Sequence, residues 1–107
     1  MIIIQIGFDN QAIASKISVS GHAGYDVYGK DIVCAAVSTA VQLTTLALQN
    51  LIGDNANVTE TDDGVTIDVG EHSHNRAVGC VIIAFAEFVN ELQATYPANV
   101  EVNFMGP

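Results

Sequence analysis

Twice along this chain the apolar spacing switches from every second residue to every third or fourth, and twice it switches back. One backbone cannot satisfy both periods, so each switch marks a change between strand and helix. Ile2 to Phe8 is β-branched and apolar and reads as a strand buried on both faces. Asp9-Asn10 supplies turn chemistry, and a second strand follows at Ile13 to Ser20. There Ile13, Ile17 and Val19 share one face, and Lys16, Ser18 and Ser20 the other, giving a hairpin.

The first helical stretch runs from Ile32 to about Ile52. Val33, Val37, Ala40, Val41, Leu48 and Leu51 form its stripe, widened by Leu43 and Leu46. Asp31 is a natural N-cap and Gly53 a natural stop. The polar positions Ser38, Thr39, Gln42, Thr44, Thr45 and Gln49 are uncharged, which suits burial against a second subunit. Asn57 to Thr61 and Val65 to Val69 form another hairpin around Asp62-Asp63-Gly64. Ser73 is expected to cap a second helix from about His74 to Ala94, apolar nearly all round through Ala86. Tyr96-Pro97 ends it, and Val100, Val102 and Phe104 alternate in a last strand. The order ββαββαβ predicts an α+β two-layer sandwich, with two long helices on one face of a five-stranded sheet. Without repeat, linker or composition shift, residues 1–107 read as a single domain.

Charge narrows the partners. Lys16, Lys30 and Arg76 are the only basic side chains against twelve carboxylates, for a net charge of −9. Three scattered cations cannot build the patch that phosphates require, so direct nucleic-acid binding is not expected, nor is attraction to an anionic membrane. A cationic peptide or protein would be drawn to this field, although charge of this size also serves solubility alone. The N-terminus, MIIIQIGFD, lacks a basic signal-peptide region, and the longest apolar run, Ala77 to Ala86, is ten residues. Cys34 and Cys80 show no CxxC spacing. A cytoplasmic location with reduced thiols is the expectation.

The chemistry gathers in GHAGYDVYGKDIVCAAVS, residues 21–38. With Asp31 as cap, Cys34 takes the third helical position, where free N–H groups and the helix dipole favour an anion. The same groups could hold an oxyanion. A small buried side chain among Val33, Ala35 and Ala36 is the competing reading, and both stand open. His22 closes the second strand, and a loop of this length can return it to the thiol as general base and then acid. A plain surface histidine fits the position too. Asp31 is a cap, a third group orienting His22, or both. Ser38, one turn after Cys34, either bonds within a site or back to the Cys34 carbonyl. Gly21, Gly24 and Gly29, with Ala23, Tyr25 and Tyr28 among them, read as a peptide-binding loop that is mobile or held closed until substrate arrives. Its tyrosines serve equally as groove walls or loop anchors. Glu71-His72-Ser73-His74 lacks a third metal ligand and reads as a solvated loop; no metal or other cofactor is expected. Cys80, in AVGCVIIAF, reads as core.

This stretch resembles the signature of the ribosomal-processing cysteine protease family, Prp. The matching residues are Gly21-His22-Ala23, then Gly29, then Asp31 through Ser38. The resemblance implies a cytoplasmic, homodimeric bacterial endopeptidase with a Cys34–His22 dyad. Its substrate would be the precursor of large-subunit ribosomal protein twenty-seven, whose N-terminal extension carries paired aromatics before the scissile bond. A non-catalytic, ribosome-associated peptide-binding module is the alternative.

Overall fold

A computed structural model describes residues 1–27 and 29–107. The elements are β1 (Ile2–Phe8), β2 (Ala14–Gly21), α1 (Ile32–Ile52), β3 (Asn57–Thr61), β4 (Gly64–Asp68), α2 (Arg76–Thr95) and β5 (Val100–Met105). The α+β order expected from the spacing is present. The five strands form one sheet in the order β3-β4-β2-β1-β5. Strand β1 is interior: it pairs antiparallel with β2 and parallel with β5, with Ile2 opposite both Gly21 and Val100.

Both helices lie on one sheet face, and this corrects the reading of β1. Ile2, Ile4 and Ile6 are buried, but Ile3 and Gln5 face outward, because no layer covers the other side. The outer face is polar, with Ser18 on β2 within 3.4 Å of Thr66 on β4 through their hydroxyls. Helix α1 buries Val33, Val37, Val41, Thr44 and Leu48, and α2 buries Val78, Ile82, Phe85 and Val89. Removing side chains of this size from water contributes roughly 1.5–3 kcal/mol each, which drives the two layers together.

Two expectations about α2 fail for local reasons. Residues Gly70–His74 form a 3-10 turn, so Asn75 becomes the cap, accepting from the Ala77 and Val78 N–H groups at 2.9 and 3.3 Å. Ser73 is buried instead, donating to Asp9 Oδ2 at 3.4 Å. Cys80 is exposed, not core. It stands two residues from both Val78 and Ile82, roughly 200° round the helix from the buried stripe. Both helices are long and apolar enough to cross a membrane by length and composition. Helix α1 separates its apolar residues with uncharged Ser, Thr and Gln, and α2 runs without a polar side chain other than Cys80 from Ala77 to Ala86. In this fold the apolar stripes meet the sheet.

Candidate functional site

The site forms where β2 ends and α1 begins. Gly21 takes φ +83°, and a Cβ there would collide with the Met1 carbonyl oxygen. Glycine alone lets the chain leave the end of β2 at this angle. The next residue, His22, is exposed, and Ala23 then turns its methyl into the core, where it is 2% exposed.

Asp31 starts α1 and also organises the loop. Its Oδ1 accepts from the Val33 and Cys34 N–H groups at 3.0 and 2.9 Å. Its Oδ2 accepts from Tyr25 and Asp26 at 3.0 and 3.3 Å. Four donors match the roughly four acceptor sites of a carboxylate, so this is the geometry of a cap, without a free lone pair for His22. The Cys34 N–H above all, with those of Asp26, Tyr25 and Val33, holds the Asp31 carboxyl below its ordinary value, partly offset by desolvation. The sharing also corrects the oxyanion expectation. The N–H groups of Val33 and Cys34 are already committed to Asp31.

Cys34 is half-buried, and its sulfur accepts the Ala23 N–H at 3.3 Å. A backbone donor aimed at the sulfur stabilises negative charge there, as does the N-terminus of the 21-residue α1. Ser38 is exposed, and its hydroxyl oxygen accepts from Gln42 Nε2 at 3.3 Å. The loop is anchored from outside as well. Tyr25 meets the Tyr96 ring edge-on, with centroids 5.3 Å apart, and Asn99 Nδ2 donates to the Ala23 carbonyl at 3.0 Å. Gly24 and Gly29 adopt φ +67° and +86°. Tyr28, read as part of the loop, lies outside the described residues.

Two cavities meet at this thiol. One of about 570 Å³ runs over β2 and β4 past Val37, Val41, Leu46, Val65 and Glu60. The other, about 540 Å³, lies on the loop side against Gly24, Asp26, Gly29 and Asp31. His22, Cys34 and Ser38 line both. The trough is apolar toward the sheet and anionic toward the loop, a match for an extended peptide with apolar and cationic side chains.

The EHSH segment goes elsewhere. His74 Nε2 lies 3.0 Å from Asp9 Oδ2 at the opposite end of β1 from the thiol, and Asp9 also accepts from Gln11 and Ile13. Among the described residues, no three potential metal ligands come together. Residues missed in sequence were Asn99, Tyr96, Gln42 and Glu60. Gln42 had a signal, standing four residues after Ser38 on one helical face. Asn99 had none, since its partner is 76 positions away.

A half-buried thiol at a helix N-terminus shares a peptide-sized trough with a histidine, the residue types that thiol-dependent hydrolases use. The family model described as Cysteine protease Prp matches residues 1–101, and the chain belongs to that family of cysteine proteases, which act in ribosomal processing. The chain is 21% identical over 105 residues to the ribosomal processing cysteine protease Prp of Staphylococcus aureus, covering 97% of this chain and 99% of that one. The fold matches a crystal structure of the S. aureus protease with a covalently linked product peptide, at a TM-score of 0.88, 21% identity and the same coverages. SMU.848 from Streptococcus mutans matches at a TM-score of 0.81 and 30% identity, over 100% of this chain and 96% of that one.

Proposed function

We propose that the protein is an endopeptidase that removes the N-terminal extension of large-subunit ribosomal protein twenty-seven, with Cys34 as nucleophile and His22 as general base and then acid. The observation that carries this reading is the meeting of two cavities at His22, Cys34 and Ser38. A peptide lying along both would present a backbone carbonyl to the sulfur. His22 takes the thiol proton, and the thiolate attacks that carbonyl to form a C–S bond. The imidazolium then gives its proton to the departing amine as the C–N bond breaks. Water, deprotonated by His22, hydrolyses the thioester and restores the thiol.

The Ala23 N–H begins at the sulfur and is placed to follow charge onto the carbonyl oxygen as the C–S bond forms. Asp31 supports this by fixing the loop rather than by touching His22, and Ser38 supplies a hydroxyl to both cavities. The net charge of −9 suits a basic ribosomal substrate, and the apolar cavity suits an aromatic side chain. A ribosomal substrate also argues for action in the cytoplasm.

The reading includes a homodimer built on the outer faces of α1 and α2. There Leu43, Ile83 and Phe88 are exposed beside an apolar trough of about 640 Å³.

The test is incubation with the precursor ribosomal protein, following loss of its N-terminal segment by mass spectrometry. Parent protein should cleave it, and Cys34→Ala and His22→Ala should each lose at least a hundredfold in rate. Cleavage by Cys34→Ala at the parental rate would sink the reading. Binding of the precursor without cleavage by the parent would favour the peptide-binding module.

A further inference from the structure

The loop that carries His22 is fastened to a turn far away in sequence. We propose that Asn99, through its 3.0 Å hydrogen bond to the Ala23 carbonyl, is a positioning residue that keeps the Ala23 N–H aimed at Cys34 Sγ. This rests on Cys34 being the nucleophile.

A peptide N–H points where its residue's backbone angles send it, and at Ala23 every handle is fixed. Its methyl is buried in the core, its N–H donates to the sulfur at 3.3 Å, and its carbonyl accepts from Asn99. Before it, the Gly21 N–H is tied to the Asp63 carbonyl at 3.2 Å. After it, Gly24 is exposed, with φ +67° and open space where a Cβ would stand. Asn99 therefore holds the Ala23–Gly24 peptide plane from one side, while Asp31 Oδ2 holds the Tyr25 N–H on the other. Without Asn99, the Ala23 carbonyl loses its partner, and the backbone of Ala23 loses the contact that fixes it on the side of Gly24.

Asn99 can bear that role because it is itself held on both sides. Its N–H donates to the Tyr96 carbonyl at 2.9 Å, and its carbonyl accepts from the Ile2 N–H at 2.9 Å. Ile2 pairs with Gly21, the residue from which the loop departs, so one strand end registers both sides of the loop. Tyr96 of the same turn packs against Tyr25. Residues 96–99 thus form a platform under residues 23–25. A loss of aim takes a backbone donor away from the sulfur, and with it the donor that follows charge onto the carbonyl oxygen.

The test uses the full chain with Cys80→Ser, which removes the exposed second thiol. Cys34 alkylation by iodoacetamide is followed against pH in this background and with Asn99→Leu or Asn99→Ser added, neither of which can donate across the same gap. The expected result is a rise in the pH midpoint of alkylation relative to the parent, with a three- to tenfold lower rate below that midpoint. For precursor cleavage, kcat should fall more than KM rises. In the unsubstituted chain, the NMR signals of the Ala23 amide and the Asn99 side-chain NH2 should shift together as Cys34 ionises, a readout independent of how the variants fold. An unmoved alkylation midpoint in a folded Asn99 variant, or an Asn99 NH2 signal blind to Cys34 ionisation, overturns the role of Asn99 alone. Parental cleavage by Cys34→Ala overturns the nucleophile reading, and this inference with it.

Discussion

The Asp31 carboxylate accepts the Cys34 N–H at 2.9 Å on one oxygen while the other oxygen accepts from Tyr25 and Asp26. One side chain therefore starts the helix that presents the thiol and shapes the loop wall facing it. Helix start and loop shape cannot vary independently in this protein.

Asp31→Asn separates those two duties. An amide keeps one acceptor oxygen and turns the other position into a donor facing two N–H groups. Capping should survive in part, while residues 25–26 are pushed away. The expected result is a small fall in thermal midpoint with a more than tenfold fall in precursor cleavage. Asp31→Ala should lower both further. Cleavage of parental efficiency by a folded Asp31→Asn would show that loop order is not needed.

Acid should destabilise the protein through the same group. The Asp31 carboxyl is lowered in the folded state from 3.8, by the Cys34 N–H first and then those of Asp26, Tyr25 and Val33. Asp9 is lowered likewise, by the Ile13 N–H first, and then by Gln11 and His74. A depressed folded value means the unfolded chain binds more protons near that pH, so stability rises with pH there. The stabilisation is fully present above 3.8 and disappears as pH falls through the folded values below it. Urea midpoints for the parent should drop between pH 4 and 2. In Asp31→Ala that drop should be shallower, and an unchanged slope would count against the account.

Gly21→Ala tests the departure from β2. The added methyl meets the Met1 carbonyl oxygen at a φ of +83° that L side chains rarely adopt. Strain of this kind costs about 1–3 kcal/mol, and relieving it must move β1 or the His22 loop. Chemical denaturation should report the loss, and precursor cleavage should fall with it. Gly24→Ala, whose added Cβ would stand in open space, carries only the backbone penalty and should cost less.

Leu48 and Leu43 occupy the same helix with opposite fates. Leu48 is 0% exposed and Leu43 is 68% exposed. Leu48→Ala should cost about 2–5 kcal/mol of folding stability. Leu43→Ala should cost under about 0.5 kcal/mol in the isolated subunit. Leu43→Asp should convert a dimer to monomers in light scattering while leaving the circular dichroism spectrum intact. A Leu43→Asp protein that stays dimeric would move the proposed interface elsewhere.

How much was readable beforehand follows from the range of each interaction. Strand and helix order, the Asp31 cap and the helix-terminal position of Cys34 were all legible. Each depends on residues within about four positions of one another, where periodicity and capping act. The loss of Ser73 as cap and the outward turn of Cys80 were not. One depends on a 3-10 turn docking against Asp9, and the other on which stripe of an apolar helix the sheet selects.

The site divides in the same way. By itself, the sequence determined that His22 and Cys34 flank one short loop, that Asp31 begins the helix, and that three Lys and Arg side chains stand against twelve carboxylates. Only the tertiary structure decided that Asp31 gives all its acceptor sites to backbone groups, that Ala23 points its N–H at the sulfur, and that Asn99 secures Ala23. The Asp31 contacts close within one loop. The hold of Asn99 on Ala23, by contrast, is made when β1 pairs with both β2 and β5 and sets the start of β5 one strand away from the end of β2. A hydrogen bond spanning 76 residues leaves no trace in local spacing.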